Sequence, residues 1–242
     1  MKDALGDRMK SQYEDRTRYL LPRRTYTVIR VDGRAFHTLL RGAEKPYDPH
    51  VQAKMVCVAL QLFRQVSGAF AAYQQSDEVS VLAQDFAEHA TESWFGGNVQ
   101  KMASVAASVA ATAFQGTDGR FENVSFDARA FTIPDRVEVG NYLVWRQKDA
   151  IRNFILASGQ ARFGHKAIDG MSTTEIEGRF LDEGEPLSTT ATARLGALAC
   201  RVPLDAAEGE ERVVQVDTAP FFGWGLAGSE LEMLIPKMPE AE

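Results

Sequence analysis

The stretches Thr27-Val-Ile-Arg-Val-Asp-Gly-Arg-Ala-Phe-His37 and Ala72-Tyr-Gln-Gln-Ser-Asp-Glu-Val-Ser-Val-Leu82 decide how this chain is read. Each sets a carboxylate beside an apolar run of β-forming residues: Asp32 closes Val28-Ile-Arg-Val31, and Asp77-Glu78 punctuate the second stretch. The first predicts a strand running into Asp-Gly, and the second predicts two strands, over 69–74 and 79–82, joined through Ser76-Asp77-Glu78. A strand ending in Asp beside a strand pair turning on Ser-Asp-Glu brings two or three carboxylates to one sheet edge. Asp-Gly alone is a common turn dipeptide, so the expectation rests on the pairing.

Carboxylates gathered in this way suit hard cations, which take oxygen ligands. Polymerase and cyclase palms hold two Mg²⁺ ions so, because phosphoryl transfer needs charge neutralised on its attacking and leaving oxygens. The residues therefore predict a metal-dependent nucleotidyltransferase with Asp32, Asp77 and Glu78 as its acidic centre. Asp77 would bridge both ions, and Glu78 would be an outer ligand or orienter. The flexible Asp-Gly step frees the Gly33 carbonyl for a metal and lets the following backbone approach a phosphate.

Working outward, Val51, Met55, Val58, Leu62 and Val66 recur at helical spacing and predict a helix over about 50–67. Val99, Met102, Ala106, Val109 and Ala113 predict a second, over about 94–115, with small residues suited to close packing on a sheet. Asn123–Phe126, continuing towards Ala130–Ile133, predicts one or two closing strands. The order β-α-β-β-α-β defines an α+β fold of the ferredoxin-like palm type. Beyond Pro134 the pattern becomes helical, over Pro134–Trp145, Lys148–Gln160 and Ser172–Leu181. A hairpin of Ala197–Pro203 with Arg212–Asp217 follows, then a Gly-rich acidic tail; residues 205–211 read as a loop. The expected division is a palm-like catalytic region, 1–134, and a mainly helical region, 135–242, packed together as one unit.

The chain has 242 residues, 45% apolar and 25% charged, enough for a substantial core. Cys57 and Cys200 have no spacing suggestive of a disulfide framework or zinc site. No signal-peptide pattern and no membrane-length apolar run is visible, so a soluble protein in a reducing cytoplasm is expected. The net charge is −6 but unevenly spread. Residues 1–45 hold eleven Lys/Arg against six Asp/Glu, residues 141–170 five against two, and residues 205–242 two against nine. Such asymmetry permits a basic phosphate-binding surface on an acidic protein. Arg146, Lys148, Arg152, Arg162 and Lys166 are its candidates on the later helices, or else a solvated helix face. Trp94, Trp145 and Trp224 are expected to be packing residues rather than base-stacking platforms.

Seven segments, in order, resemble the tRNA-His guanylyltransferase superfamily, specifically its bacterial and archaeal branch of Thg1-like proteins. They are Arg8-Met-Lys-Ser-Gln-Tyr-Glu14, Ile29–His37, Lys45-Pro46, Ala72–Glu78, Asn98-Val-Gln-Lys-Met102, Phe126-Asp-Ala-Arg-Ala-Phe131 and Trp145-Arg-Gln-Lys-Asp-Ala-Ile-Arg-Asn153. The resemblance covers roughly residues 5–170. It implies an enzyme that adds nucleotides to the 5′ end of an RNA, in the 3′–5′ direction. The 5′ end is activated by adenylylation or as a triphosphate, and the 3′-hydroxyl of an incoming nucleoside triphosphate then attacks it. The implied ligands are two Mg²⁺ ions, held by Asp32, Gly33 and Asp77, and ATP or GTP. Asp32, Gly33, Arg34, Ala35, Phe36, His37, Ser76 and Asp77 are the implied nucleotide contacts. Arg30, Lys45, Lys101, Arg146, Arg152 and Asn153 are phosphate or RNA candidates, and a homotetramer is implied by analogy.

Two departures from the eukaryotic members matter. Where those carry Lys-Arg-Arg after Trp-Phe, this chain has Gly96-Gly97-Asn98. Where they carry His-Ile-Asn-Asn-Leu-Tyr-Asn, it has Ile151-Arg-Asn-Phe-Ile-Leu-Ala157. Template-directed repair of truncated tRNA 5′ ends is therefore expected, with addition of a single G to tRNA-His as the alternative. A non-catalytic RNA-binding relative and a palm-type nucleotide cyclase are further alternatives. A diguanylate cyclase would usually carry a Gly-Gly-Asp/Glu-Glu-Phe hairpin, unlike Gln75-Ser-Asp-Glu-Val79.

Overall fold

In the computed structural model, residues 3–116, 120–189, 191–203, 211–216 and 234–239 are described. Their centre is an antiparallel sheet of six strands in the order β4-β1-β3-β2-β5-β6. The strands are β1 (Tyr26–Gly33), β2 (Ala69–Gln75), β3 (Glu78–Gln84), β4 (Phe126–Ile133), β5 (Ala197–Pro203) and β6 (Glu211–Val216). The first four, with their crossover helices, have the α+β palm arrangement, and the β5–β6 hairpin extends the sheet beyond β2. Of the expected hairpin Asp217 lies outside the described residues, as do most of the 205–211 loop, Trp224 and most of the acidic tail.

The helices are α1 (Ala4–Met9), α2 (Phe36–Leu39), α3 (Pro49–Gln65), α4 (Val99–Gln115), α5 (Arg136–Phe163), α6 (His165–Ile168), α7 (Thr173–Asp182) and α8 (Thr192–Leu195). Their starts are written in side chains. Asp48 precedes Pro49 and accepts the His50 and Val51 amides, Asp135 accepts those of Val137 and Glu138, and Ser172 with Glu175 forms a reciprocal capping box. Each satisfies amides that a helix start leaves unpaired.

α3 and α4 cover one sheet face. Met55, Val58, Leu62, Met102, Ala106 and Ala110 pack there against Ile29, Val31, Val79 and Val81. α5 crosses the other face, where Val139, Tyr142 and Leu143 join Tyr26, Val28, Tyr73 and Leu82. Further along, Phe154 and Ile155 of α5 pack with Ile168, Ile176 and Phe180.

Three expectations change. The two helices expected over 134–160 are one continuous α5 of 28 residues; Arg146 and Gln147, between the two expected spans, are buried helical residues with partners. The helix expected from residue 94 begins at Val99, because Phe95 and Gly96 take positive φ (52° and 58°) in a short 3₁₀ turn at Trp94–Gly97. The strand expected from Asn123 begins at Phe126, since Asn123 itself has φ 56°.

Candidate active site

Strand alternation sorts the charges. Ile29 and Val31 face α3 and α4, leaving Arg30 and Asp32 on the α5 face. Register sets Asp32 between Glu78 of β3 and Asp127 of β4, forming one rung of three carboxylates. The next rung holds Ser80, Arg30 and Arg129.

Asp77 comes from the two-residue turn between β2 and β3. Ser76 there has φ 49°, and the Gln74 side-chain amide donates to the Ser76 carbonyl at 2.9 Å. Gly33 donates its backbone N–H to the Asp77 carbonyl at 3.0 Å, joining the end of β1 to the turn. Burial, then the Asp127 charge, pushes the Asp32 carboxyl up, against Arg30, Arg129 and Arg146. Burial, and next the Asp32 charge, pushes Asp77 up to about 6. The two carboxylates thus sit near each other in partly desolvated surroundings. Each resists ionisation.

After Gly33 the chain turns sharply. Ala35 has φ 57° and opens the short α2, and Phe36 is buried against Phe114 and Phe126, with ring centroids at 5.0 and 5.2 Å. A Cβ on Gly33 would collide with the Phe36 ring. Beyond the turn lies a cavity of about 350 Å³, bordered by His37, Lys45, Asp48, Gln74, Ser76, Asp77, Asn153 and Thr192. Its walls come from α2, α3, the β2–β3 turn, α5 and α8. Arg34 and Ala35 are exposed just outside it, while Phe36 presents part of its ring to it.

Other candidates fall elsewhere. Glu78 is buried and receives both Nε and Nη2 of Arg146, at 2.8 Å each. Arg146 also reaches Asp149 at 3.1 Å. Glu78 is therefore not an open catalytic carboxylate, and Arg146 is not a free phosphate cation: the pair locks α5 to β3. Arg30 is drawn the same way, its Nε 3.7 Å from Glu78, under α5 and away from the cavity. Lys101 stands at the wrong end of the sheet. Its neighbour Met102 borders a small void with Thr27 and Asp85, whereas the α4 ring that meets Phe36 is Phe114. That separation is roughly 20 Å along the helix. Arg152 is exposed on α5, and Asn153 lines the cavity.

Among the residues that sequence reasoning passed over are Asp127, Asp48 and Gln74. Asp127 lies in the quoted Phe-Asp-Ala-Arg segment, but only strand register aligns it with Asp32. Trp145, expected to pack, is 53% exposed.

The donor set suits a hard divalent cation. Two oxygen-bearing side chains repel one another beside a backbone that turns at glycine, and a cation between them would relieve that repulsion. Among the described residues no three His, Cys, Asp or Glu side chains converge as a complete metal cage. An ion here would draw further oxygens from backbone, water or substrate, as Mg²⁺ does in nucleotide sites.

A palm sheet with paired carboxylates at its edge and a pocket beside them defines a palm-type nucleotidyltransferase. The family model described as tRNAHis guanylyltransferase (Thg1) matches residues 6–134, just over half of the chain, and the chain belongs to that family of nucleotidyltransferases. A bacterial Thg1-like protein solved in complex with ATP matches with a TM-score of 0.83 at 29% identity, over 96% of this chain and 99% of that one. A bacterial Thg1-like protein in complex with GTP gives 0.76 at 30% identity, over 91% and 94%. The tRNA(His) guanylyltransferase of Schizosaccharomyces pombe is 32% identical over 146 residues, covering 57% of this chain and 53% of that protein. The chain thus matches about half the length of that curated relative. Among the described residues no helix is long and apolar enough to cross a membrane.

Proposed function

We propose that this protein adds nucleotides to the 5′ end of tRNA in the 3′–5′ direction, as template-directed repair, using ATP or GTP and Mg²⁺. The observation that carries this reading is the cavity opening directly beside Asp77, with His37, Lys45, Ser76 and Asn153 in its wall. His37 and Lys45 offer donors to a triphosphate, Asn153 offers an amide, and the turn at Ser76 fixes the carboxylate beside it. Asp32, Asp77 and the Gly33 carbonyl are the proposed metal ligands; two Mg²⁺ ions would neutralise charge on the attacking and leaving oxygens. The bond formed joins the 3′-oxygen of the bound nucleotide to the activated 5′ phosphorus of the RNA. Pyrophosphate leaves from a triphosphate end, AMP from an adenylylated one. Residues 1–134 supply the carboxylates and residues 135–242 part of the pocket wall, and the active particle is a cytoplasmic homotetramer.

Templating is favoured by the segment where eukaryotic members are cationic. Asn98 is spent on capping α4, its Oδ1 accepting the Lys101 amide at 3.0 Å, and Gly97 pairs its carbonyl with the Leu21 amide at 2.9 Å. The Gly-Gly step offers no side chain to select a tRNA, so base pairing must supply discrimination. The test is incubation with Mg²⁺, labelled nucleotides and tRNAs lacking the first 5′ nucleotide, each with a different opposing base. Incorporation that follows the opposing base supports repair. G added to tRNA-His alone, whatever it faces, favours the guanylyltransferase activity named for the yeast relative; no incorporation at all overturns both.

A further inference from the structure

The nucleotide cavity occupies one side of the carboxylate rung. The second reactant, the end of an RNA, needs a place on the other side, and the flank of α5 turned toward β4 is built for it. Phe131 of β4 meets Tyr142 edge-on at 5.9 Å, and Tyr142 meets Trp145 edge-on at 5.8 Å. This aromatic run leads from the sheet edge to an indole that is 53% exposed. The Arg146 guanidinium lies 4.5 Å from the indole centroid and is itself clamped by Glu78, the rung partner of Asp32. The indole is thus held against an arginine anchored on the neighbour of Asp32 while much of its surface stays open. Arg129 on β4, 3.3 Å from Asp127, and Arg152 two turns along α5, 4.0 Å from Asp149, have 54% and 67% of their side chains exposed and can reach a further anion.

We infer that Trp145 is a stacking platform for the terminal base at the RNA 5′ end, with Arg129 and Arg152 holding the adjoining phosphates. A strand end exposes the face of its last base, and aromatic stacking with flanking cations is how proteins hold such bases without reading sequence. That tolerance suits an enzyme whose choice of nucleotide is left to pairing. The inference rests on the proposed action on RNA.

The experiment measures binding of a tRNA transcript lacking its first 5′ nucleotide, binding of GTP, intrinsic fluorescence and mass in solution, for wild type, Trp145→Ala and Trp145→Phe. Trp145 is exposed, so both variants are expected to fold. The expected result is RNA-induced quenching in the wild type that is lost in Trp145→Phe. Affinity for the transcript should fall about tenfold in Trp145→Ala and substantially less in Trp145→Phe, with GTP binding unchanged. Unchanged RNA affinity in Trp145→Ala overturns the assignment while leaving the proposed function standing. A fall in oligomeric mass with RNA affinity intact assigns the indole to an interface between copies instead. A wild type that does not bind the transcript defeats the proposed function along with this inference.

Discussion

The amide of Gly33 donates to the carbonyl of Asp77 at 3.0 Å, so the strand carrying one carboxylate and the turn carrying the other are joined by a backbone bond. Neither side chain takes part in that bond. The geometry of the acidic pair is thereby set by the main chain, and the carboxylates themselves remain available to a ligand.

Asp32→Ala and Asp77→Ala should therefore remove activity without removing the fold. Loss of either carboxylate would take away transition-state charge stabilisation worth several kcal/mol, a rate loss on the order of 10³-fold or more. Thermal unfolding without metal should be unchanged or slightly improved, since each change relieves repulsion at a raised carboxyl. Single-turnover nucleotide addition and calorimetry on the same samples check both halves, and near-normal rates in either variant rule out the acidic pair.

The raised Asp77 carboxyl also sets a pH dependence. Folded, it titrates at about 6, against 3.8 as the ordinary value. The native state then binds more protons than the unfolded state between those values, so metal-free stability should fall as pH rises from about 4 to about 6. Asp77→Asn should flatten that slope. MgCl₂ should restore stability above pH 6, where the ionised carboxylate can bind it. Urea titrations across pH, with and without Mg²⁺, test the sign.

Arg146→Ala should act on stability first. It leaves Glu78 buried without its bidentate partner, a change that typically costs about 3–5 kcal/mol. The Arg146→Met/Glu78→Gln double variant should recover part of that loss, because the buried carboxylate is gone, while Arg30 loses the charge 3.7 Å away. A double-mutant cycle by chemical denaturation measures the coupling, and additive losses would exclude the lock between α5 and β3.

Arg152→Ala should behave in the opposite way. Its side chain is 67% exposed and lies 4.0 Å from Asp149, so unfolding should be almost unaffected. RNA affinity should drop and the dependence of log K on log salt should become shallower by about one phosphate contact. An unaltered salt slope assigns Arg152 to the solvated face of the helix.

The palm was legible because its signals are local. Alternating apolar residues, Asp-Gly and the Ser-Asp-Glu turn locate β1, β2 and β3, and the three-and-four spacing of Met55, Val58 and Leu62 locates α3. What escaped depends on partners distant in sequence. Arg146 and Gln147 fall between the two expected helices, yet one is neutralised by Glu78 and the other donates to the Leu195 carbonyl at 3.0 Å. Asp127 carries no signal until register sets it beside Asp32. The distance of Lys101 from the cavity was not legible, because periodicity gives a helix without its direction along the sheet. Gly33 was read as a source of backbone freedom, whereas the structure adds a second reason for it, the Phe36 ring packed where a Cβ would stand.

The unbroken run of α5 makes its length a constraint on the site. Arg146 must meet Glu78 on one turn while Asn153 faces the cavity two turns later. One residue inserted between them would rotate everything downstream by about 100° and advance it by about 1.5 Å. Asn153 would then leave the pocket wall, and Phe154 would leave its stacking on Tyr47, whose ring lies 5.5 Å away. Substitutions on the outer surface of this helix can be absorbed one at a time, but between Arg146 and Asn153 the spacing is fixed at seven residues, two nearly whole turns, and single-residue insertions or deletions there should be rejected.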